Sequence, residues 1–350
     1  MVETIRISKR AVGPEHPCFI IAEAGVNHNG SPKMARQLID AAAEAGVDAV
    51  KFQTFTAERL ATQSAPKADY QLETTGAAQS QFEMLRELEL SAESHKDLMQ
   101  YCAEKSVLFM SSPFDEISAD LLDDLNVSAF KIPSGEITNL KYLAHVARKG
   151  RPMIVSTGMA NLKEVSDAVQ TIQESGSPEF ILLQCVSNYP ASPEDANLRA
   201  MSTMASAFGV PVGYSDHTLG ISTALAAVAL GACVIEKHLT LDKQLPGPDH
   251  LASLEPHEFK TMVEEIRSVE SSLGHGRKEP VPSEVSTAAA ARKSLVAVAD
   301  IPAGTILTEE LVAAKRPGTG LSPAMLSQVL KRKVRSSVQE GALITMEMFE

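Results

Sequence analysis

Two histidines, His217 and His238, each stand where a short apolar run gives way to polar residues. Imidazole nitrogens bind divalent metals well, and two of them leave coordination positions open for water or a substrate oxygen. With no thiolate among the ligands, the pair favours Mn²⁺ or Mg²⁺ acting as a Lewis acid. Two ordinary hydrogen-bonding histidines are the alternative, because polar strand ends are common. Of the other histidines, His28 and His250 are left open, and the rest are interpreted as surface residues: His16, His95, His145, His257 and His275.

Two lysines, Lys51 and Lys131, occupy similar positions at the ends of other apolar runs. Cations surrounded by hydroxyl donors and loop amides bind phosphate or carboxylate. Serines of this kind also end or follow apolar runs, namely Ser112, Ser134, Ser156, Ser187 and Ser215. Any one of these serines could simply belong to a loop turn, so the prediction of an anion site depends mainly on the two lysines. Together they predict a site for a small, doubly anionic ligand such as a phosphorylated carboxylic acid.

Two carboxylates, Glu23 and Glu136, complete the polar strand ends, with Gln53 two residues after Lys51. A carboxylate in such a place could accept a hydroxyl proton or orient a polyol substrate. Exposed loop carboxylates without a catalytic role are the alternative interpretation.

The elements that must position these residues alternate between β and α periodicity. Eight short apolar runs are predicted as strands: 18–25, 48–54, 107–114, 129–136, 153–159, 180–187, 210–218 and 233–240. Eight amphipathic stretches are predicted as helices: 31–46, 91–106, 118–126, 139–150, 161–176, 197–209, 220–231 and 255–274. Strands separated by helices pair in parallel, and eight such units predict an α/β fold of the (β/α)₈ TIM-barrel type. An open, doubly wound sheet is the rival, but its G-x-G-x-x-G fingerprint is absent after the first strand.

A closed barrel explains why polar residues end so many strands. The carboxyl ends of all eight strands meet at one mouth, where barrel enzymes have their active sites. His217 and His238 end the seventh and eighth strands, and neighbouring strands lie about 4.8 Å apart, so both imidazoles could reach one ion.

The C-terminal part of the chain has a different pattern. After a Gly-, Pro- and charge-rich stretch, short strands are separated by turns such as "IPAGT" and "QEGA". We predict a barrel domain at 1–274, a linker at 275–288 and a small β-rich domain at 289–350. The loop "KRPGTG", which contains Arg316, could reach a neighbouring surface or be an ordinary basic turn.

Composition excludes several classes of partner. The 44 acidic and 32 basic residues give a net charge of −12, which disfavours nucleic acid and anionic membranes as partners. No apolar run is long enough for a transmembrane helix, and the N-terminus lacks a signal-peptide pattern. Four widely spaced cysteines without a CxxC pair predict a reduced, cytoplasmic protein.

A series of ordered motifs resembles the sialic acid synthase family, which makes nonulosonic acids and includes N-acetylneuraminate and N,N'-diacetyllegionaminate synthases. The motifs are "IAEAGVNHNG", "KFQT", "SSPF", "KIPSGE", "STGM", "GYSDHTLG", "VALGACVIEKHLTLD", "PGPDH" and "KRPGTG". The resemblance implies a TIM barrel followed by a SAF (antifreeze-like) domain. It also implies a domain-swapped homodimer in which Arg316 enters the partner's site.

The implied reaction is a transferase reaction that condenses phosphoenolpyruvate with the open-chain form of an N-acylated mannose-type sugar. Phosphate leaves by C–O cleavage after water adds, and a Mn²⁺-type ion on His217 and His238 polarises the aldehyde. Glu23 is implied as a further catalytic residue for proton handling. The implied phosphoenolpyruvate-binding residues are Lys51, Ser112, Lys131, Ser134, Ser156, Ser187 and Ser215. The implied sugar-binding residues are Gln53, Glu136, Tyr189, Asp249 and Arg316.

Several alternatives stay open at this point. Either Ser187 or Asn188 could contact phosphate. The sugar could be N-acetylmannosamine or 2,4-diacetamido-2,4,6-trideoxymannose, the latter leading to N,N'-diacetyllegionaminate; the motifs favour the legionaminate type and disfavour the pseudaminate branch. Two functional hypotheses compete with this one. The first is a different barrel enzyme with the same anion site, such as a pyruvate aldolase that uses a metal or, with a buried lysine, a Schiff base; the second is a non-enzymatic binding protein.

Overall fold

A computed structural model describes residues 4–176 and 179–350 of the chain. It divides into two compact units, Met1–Gly274 and His275–Glu350, which are described separately below. The predicted domain boundary falls at the same residue, and the predicted linker lies within the second unit. Among the described residues, none of the helices combines the length and the apolar character needed to span a membrane.

The first unit contains a short hairpin followed by eight parallel strands. The hairpin pairs β1 (Ile5–Ile7) with β2 (Arg10–Val12). The parallel strands are β3 (Phe19–Gly25), β4 (Ala49–Thr54), β5 (Leu108–Pro113), β6 (Phe130–Ile132), β7 (Met153–Ser156), β8 (Phe180–Cys185), β9 (Val212–Asp216) and β10 (Val234–His238). They are hydrogen-bonded in the order β5-β4-β3-β10-β9-β8-β7-β6, and β5 also contacts β6. The sheet is therefore a nearly closed barrel, and the predicted fold class is confirmed.

Helices surround this barrel. They are α1 (Pro32–Ala45), α2 (Ala57–Leu60), α3 (Asp69–Thr75), α4 (Gln81–Glu87), α5 (Ala92–Glu104), α6 (Glu116–Asp124), α7 (Leu140–Ala147), α8 (Leu162–Glu174), α9 (Arg199–Phe208), α10 (Ser222–Ala229) and α11 (Pro256–Leu273). Helix α1 begins as its sequence predicts: the Ser31 side chain accepts a hydrogen bond from the Met34 amide, and Pro32 occupies the first turn. It ends at Gly46, whose φ of 79° is the left-handed conformation that glycine adopts without strain.

Successive side chains along a strand point to opposite faces of the sheet, so the barrel strands contribute to two hydrophobic layers. Ile20, Val50 and Phe52 point outward and belong to the large core between barrel and helices. Phe19, Ile21 and Met110 point inward and fill the lower part of the barrel, together with Ile5, Ile7 and Val12 of the hairpin. Because this inner layer is apolar below, the polar residues farther along the same strands are left at the mouth.

Helices α2, α3 and α4 form an insertion between β4 and α5 for which the sequence analysis makes no prediction. They are four to seven residues long, too short to show a clear helical period. Their apolar side chains form a separate cluster with the loops at the mouth, including Phe55, Met84 and Leu88.

The second unit has its own small core and short strands. Strands β11 (Ser294–Ala297) and β12 (Val312–Lys315) pair antiparallel, and isolated bridges join several loops. Helices α12 (Val285–Ala291) and α13 (Leu326–Val329) complete the unit. A cluster including Leu295, Ile301 and Phe349 is buried inside it, as the predicted β-rich module requires.

Candidate active site

A cavity of about 390 Å³ opens at the carboxyl ends of the barrel strands. Most residues predicted from the sequence line it: Glu23, Lys51, Gln53, Lys131, Ser134, Ser156, Ser187, Tyr189, Ser215, His217, His238 and Asp249. They come from seven different strands or the loops that follow them, so only the closed barrel brings them together.

Two lysines and two carboxylates form the floor of this cavity. Lys51 Nζ lies 2.8 Å from Glu23 Oε2 and 3.6 Å from Glu236 Oε2. Lys131 Nζ lies 3.3 Å from the other oxygen of Glu236, Oε1. Glu236 therefore sits between two buried ammonium groups. Oε2 of each carboxylate lacks a hydrogen bond in good geometry within the described residues, although both oxygens contact Lys51.

Sequence reasoning missed Glu236 as a site residue, although the signal was present. In β10, Val234 points into the barrel, and side chains alternate along a strand, so Glu236 and His238 share its inner face. Glu236 also pairs in register with Ser215, whose Oγ donates to Glu236 Oε1 at 3.0 Å. Counting from an apolar inward residue would have identified it.

The surroundings of Glu23 and Glu236 shift the pKa values of the two carboxyl groups in opposite directions. Burial raises the pKa of Glu23 to about 7, and the nearby Lys51 offsets this only in part. Burial acts on Glu236 as well, but Lys131 and Lys51 together outweigh it and hold its pKa below the usual value. Glu236 is thus an anion at neutral pH, while Glu23 can carry or release a proton there.

Serine hydroxyls and a glycine border the lysines. Lys51 Nζ donates to Ser112 Oγ at 3.0 Å, and Lys131 Nζ donates to Ser156 Oγ at 2.8 Å. The Gly158 amide donates to Ser134 Oγ at 3.0 Å. A Cβ on Gly158 would collide with the hydroxyls of both Ser134 and Ser187. The glycine therefore leaves room for donors to converge, as in a phosphate-binding loop.

The two predicted metal-ligating histidines are close to each other. Their ring centroids are 5.4 Å apart with an interplanar angle of 64°. His217 Nδ1 donates to the Val186 carbonyl at 2.6 Å, which leaves Nε2 to face a ligand. His238 Nδ1 is buried without a hydrogen-bond partner and lies 3.8 Å from Asp249 Oδ2.

The charges around His238 favour its neutral form. Burial, and then His217 and the nearby lysines, hold the pKa of His238 well below its ordinary value. A neutral imidazole with an unsatisfied nitrogen is suited to bind a cation, so these residues fit a divalent metal. Within the described ranges, no group of three or more His, Cys, Asp or Glu could hold one. A metal here would use two imidazoles and otherwise water or substrate oxygens.

Tyrosine rings connect the histidines to the mouth. The Tyr189 ring lies 4.1 Å from that of His217 and 5.5 Å from that of His238, centroid to centroid. Tyr70 of α3 lies against Tyr189 at 4.9 Å. The insertion is therefore in contact with the part of the cavity that holds the imidazoles.

Some predicted residues lie elsewhere. Glu136 does not line the cavity; it is half-buried, and its carboxylate accepts from Asn139 Nδ2 at 2.8 Å. Ser112 reaches the site only through Lys51. Arg316 belongs to the second unit, where its Nε donates to the Ala291 carbonyl. Ser187 lines the cavity and Asn188 is not among its lining residues.

The surface interpretation of His95 was wrong. This histidine is fully buried, with Nδ1 2.9 Å from the Ser91 carbonyl and Nε2 2.9 Å from Thr54 Oγ1. It lies on the inner face of α5, together with the buried Leu98 and Cys102. Its spacing of three residues from Leu98 and seven from Cys102 should have indicated this.

The fold and the site define a (β/α)₈-barrel protein with an anion-binding floor and a pair of imidazoles at its mouth. Residues 38–278 match the family model for the NeuB family, and residues 292–350 match that for the SAF domain. The chain belongs to the NeuB family, and both the family and the SAF domain predicted from the sequence are confirmed.

Known relatives cover nearly the whole chain. The N,N'-diacetyllegionaminic acid synthase of Legionella pneumophila is 47% identical over 342 residues, which are 97% of this chain and 96% of that protein. The N-acetylneuraminate-9-phosphate synthase of Mus musculus is 40% identical over 343 residues, 97% and 95% of the two chains. The crystal structure of the N-acetylneuraminic acid synthetase of Leptospira borgpetersenii in complex with citrate has a TM-score of 0.73 and 37% identity, covering 82% of this chain and 95% of that one. The chain is an enzyme of the NeuB type.

Proposed function

We propose that the enzyme condenses phosphoenolpyruvate with the open-chain form of an N-acylated mannose-type sugar and releases phosphate. The supporting observation is the shared cavity, in which a floor of two lysines and convergent hydroxyls adjoins two imidazoles. Phosphoenolpyruvate needs cations for its phosphate and its carboxylate. The sugar aldehyde needs an electrophilic centre beside them.

The lysines and serines would bind phosphoenolpyruvate. Lys131 and Ser156 already form one donor pair, and Lys51 and Ser112 form another. Glu236 between the lysines limits their mutual repulsion while no substrate is bound. Holding both reactants in a fixed orientation would then supply much of the rate enhancement.

Glu23 is the group proposed for proton transfer. Its pKa of about 7 places it near the pH at which a general acid–base catalyst is most effective. Gln53 Nε2 donates to Glu23 Oε1 at 3.1 Å and fixes the carboxylate orientation. We infer that Glu23 accepts the proton of the water that adds to the oxocarbenium carbon, before the C–O bond to phosphate breaks.

His217 and His238 would hold a divalent ion, Mn²⁺ or Mg²⁺. Such an ion, when bound, supplies Lewis-acid polarisation of the sugar carbonyl. The protein's own contribution is orientation: the Val186 carbonyl fixes one imidazole and Tyr189 packs against both. Tyr189, Asp249 and Gln53 line the same cavity and would contact the sugar.

A second copy of the chain is part of the proposal. Met159 lines the cavity, is 74% exposed and has a φ of 64°, so an apolar side chain is presented at the rim. A homodimer with exchanged SAF domains would cover it and bring Arg316 of the second copy to the sugar. Four buried, unpaired cysteines suit the reducing cytoplasm in which phosphoenolpyruvate is made.

The experiment is phosphate release from phosphoenolpyruvate in the presence of an N-acylmannosamine-type sugar. Release should require both substrates, should stop on chelation and should return with Mn²⁺ or Mg²⁺. A His217→Ala/His238→Ala double variant should be inactive, and His257→Ala, at an exposed helix position, is the matched control. Borohydride inactivation with pyruvate, or release without sugar, would contradict the proposal in favour of a Schiff-base aldolase or a phosphatase.

A further inference from the structure

A buried polar cluster lies between the barrel wall and α5, and the proposed chemistry does not use it. It consists of His95, Thr54 and Ser111, and we name it the His95 cluster. His95 Nε2 lies 2.9 Å from Thr54 Oγ1, which lies 2.7 Å from Ser111 Oγ. The exposed fractions of the three side chains are 0%, 4% and 1%, in that order. None of the three is among the described residues that line the cavity.

The hydrogen bonds of the His95 cluster run in one direction. His95 Nδ1 lies 2.9 Å from the Ser91 carbonyl, which can only accept, so Nδ1 carries the proton of the neutral ring. Burial lowers the pKa of His95 and thereby favours this neutral ring. Nε2 then accepts from the Thr54 hydroxyl, and Thr54 in turn accepts from Ser111. Removing the Thr54 hydroxyl would leave two buried polar groups without their partner.

The His95 cluster joins the two ends of the insertion. Thr54 is the last residue of β4, where the main chain leaves the barrel for α2–α4. Ser91 caps α5, where the main chain returns to the barrel wall. Ser111 belongs to β5, which pairs with β4 in register. The end of β4 is therefore tied both to the neighbouring strand and to the helix that follows the insertion.

The residue before Thr54 faces the other way, into the cavity. Side chains alternate along a strand, so Thr54 points outward, as Phe52 does in the large core. Gln53 lies between them and lines the cavity, where its Nε2 donates to Glu23 Oε1 at 3.1 Å. A shift or rotation at the end of β4 would therefore move the group that orients Glu23.

Stability alone does not require polar groups at this place. The layer between the barrel strands and the helices is largely filled by apolar side chains. Apolar groups of the same shape can stabilise a buried site about as well as a hydrogen-bonded pair does. Hydrogen bonds, however, have preferred distances and angles, whereas hydrophobic contacts are non-directional. The His95 cluster is therefore suited to fix the orientation of the strand end.

We propose that the His95 cluster positions the proton-transfer group: it holds the end of β4 so that Gln53 keeps the Glu23 carboxylate in its reactive orientation. The members of the cluster are positioning residues, because they act through Gln53. The inference rests on the proposed function, in which Glu23 accepts the proton of the attacking water.

Thr54→Val is the direct test, because valine keeps the shape of threonine and lacks its hydroxyl. It should lower kcat at least about 10-fold, since a small misplacement of a catalytic group has effects of this size. The KM for phosphoenolpyruvate should change less than about 3-fold, which also shows that the variant is folded. Thr54→Ser retains the hydroxyl and should keep kcat within about 3-fold of the unmodified enzyme. Thr261→Val, at an exposed position of α11, is the matched control.

A double-variant cycle measures whether the effect passes through Gln53. Gln53→Leu alone should lower kcat. Adding Thr54→Val to it should cause a further loss of less than about 2-fold, because residues that act through one another are not additive. If Thr54→Val does not fold, Ser111→Ala serves in its place: it removes one hydrogen bond of the cluster and should lower kcat about 3-fold, again without a further loss in the Gln53→Leu background.

The outcomes separate this inference from the reaction itself. An unchanged kcat in Thr54→Val and Ser111→Ala, a loss that Thr54→Ser shares in full, or independent losses in the double variant would overturn the inference and leave the reaction intact. If the unmodified enzyme released no phosphate from phosphoenolpyruvate with N-acylmannosamine-type sugars, the proposed function would be contradicted.

Discussion

Lys237 Nζ lies 2.7 Å from Asp216 Oδ2, and both side chains are completely buried on the outer face of the barrel. The two residues adjoin the candidate metal ligands, since Lys237 precedes His238 and Asp216 precedes His217, and they pair in register. Asp216 Oδ1 also accepts from the amide and the hydroxyl of Thr218 at 2.9 and 2.8 Å. The ion pair therefore fixes the backbone on both sides of His217.

Lys237→Met should destabilise the protein strongly. Removing one member of a buried ion pair leaves an uncompensated charge, and the expected loss is about 3–5 kcal/mol in the free energy of unfolding. Urea denaturation measures it. Lys163→Met is the control, because Lys163 pairs with Asp167 on an exposed helix face and such pairs contribute less than about 1 kcal/mol. Similar losses in the two variants would show that the buried ion pair stabilises the protein no more than the exposed pair does.

Gly158→Ala tests the anion site. The added methyl group would collide with Ser134 and Ser187, so we expect the KM for phosphoenolpyruvate to rise at least about 10-fold while the KM for the sugar changes little. Initial-rate kinetics with each substrate varied in turn measures both constants. Gly135 lines the same cavity, but an added Cβ there would meet no protein atom within 4 Å, so Gly135→Ala should raise the KM for phosphoenolpyruvate much less than Gly158→Ala does. If the KM for phosphoenolpyruvate were unchanged in Gly158→Ala, its phosphate would not bind beside Gly158.

The barrel could be predicted because eight units repeat the same local pattern. Each strand is a short apolar run and each main helix has a clear period, and the predicted ranges overlap all eight barrel strands and the eight helices that follow them. The insertion could not be found in this way, since α2–α4 are too short for periodicity and are stabilised by contacts with loops distant in sequence.

Site residues were recognised in the sequence where a polar residue stood out at the end of an apolar run. Glu236, which lies within a strand, was missed. Lys51 and Lys131 stood out as cations within apolar runs, whereas Glu236 and Lys237 are adjacent charges whose opposite orientations depend on strand alternation. Glu136 follows β6 in a 3₁₀ turn that directs its carboxylate to Asn139. Its sequence position alone does not show that direction.

Glu236→Gln should change the balance between stability and anion binding. The amide keeps the size of the side chain but removes the negative charge between Lys51 and Lys131. Their repulsion is then uncompensated, so the free energy of unfolding should fall by about 2–4 kcal/mol without ligand. An anion can supply the missing charge, so phosphoenolpyruvate should raise the melting temperature of this variant more than that of the unmodified protein.

Thermal unfolding with and without phosphoenolpyruvate measures both effects of Glu236→Gln. Glu164→Gln, at the exposed start of α8, is the control for the loss of one carboxylate. If the ligand-induced increase in melting temperature were smaller in Glu236→Gln than in the control, Glu236 would contribute to anion binding directly and would not act as a replaceable counter-ion.

Three buried histidines predict how stability depends on pH. Burial lowers the pKa of His28 to about 4 and that of His250 to about 4, and it also lowers the pKa of His95. In the unfolded chain these groups titrate near 6.5, so between about pH 6.5 and 4 the unfolded state binds more protons than the folded state. The stability that these neutral histidines contribute is therefore fully present above pH 6.5, and it is lost as the pH decreases towards 4.

His28→Asn isolates the contribution of one of these histidines. Asn can still accept the hydrogen bond that His28 Nδ1 receives from the Gly30 amide, but it takes up no proton. One pKa unit corresponds to about 1.4 kcal/mol, so between pH 7.5 and 5 the variant should lose about 2 kcal/mol less stability than the unmodified protein. Urea midpoints at the two pH values measure this difference, and the exposed His257→Asn should leave it unchanged. An equal loss in His28→Asn would mean that His28 takes up its proton equally well in the folded and the unfolded chain, which would contradict the lowered pKa of this buried imidazole.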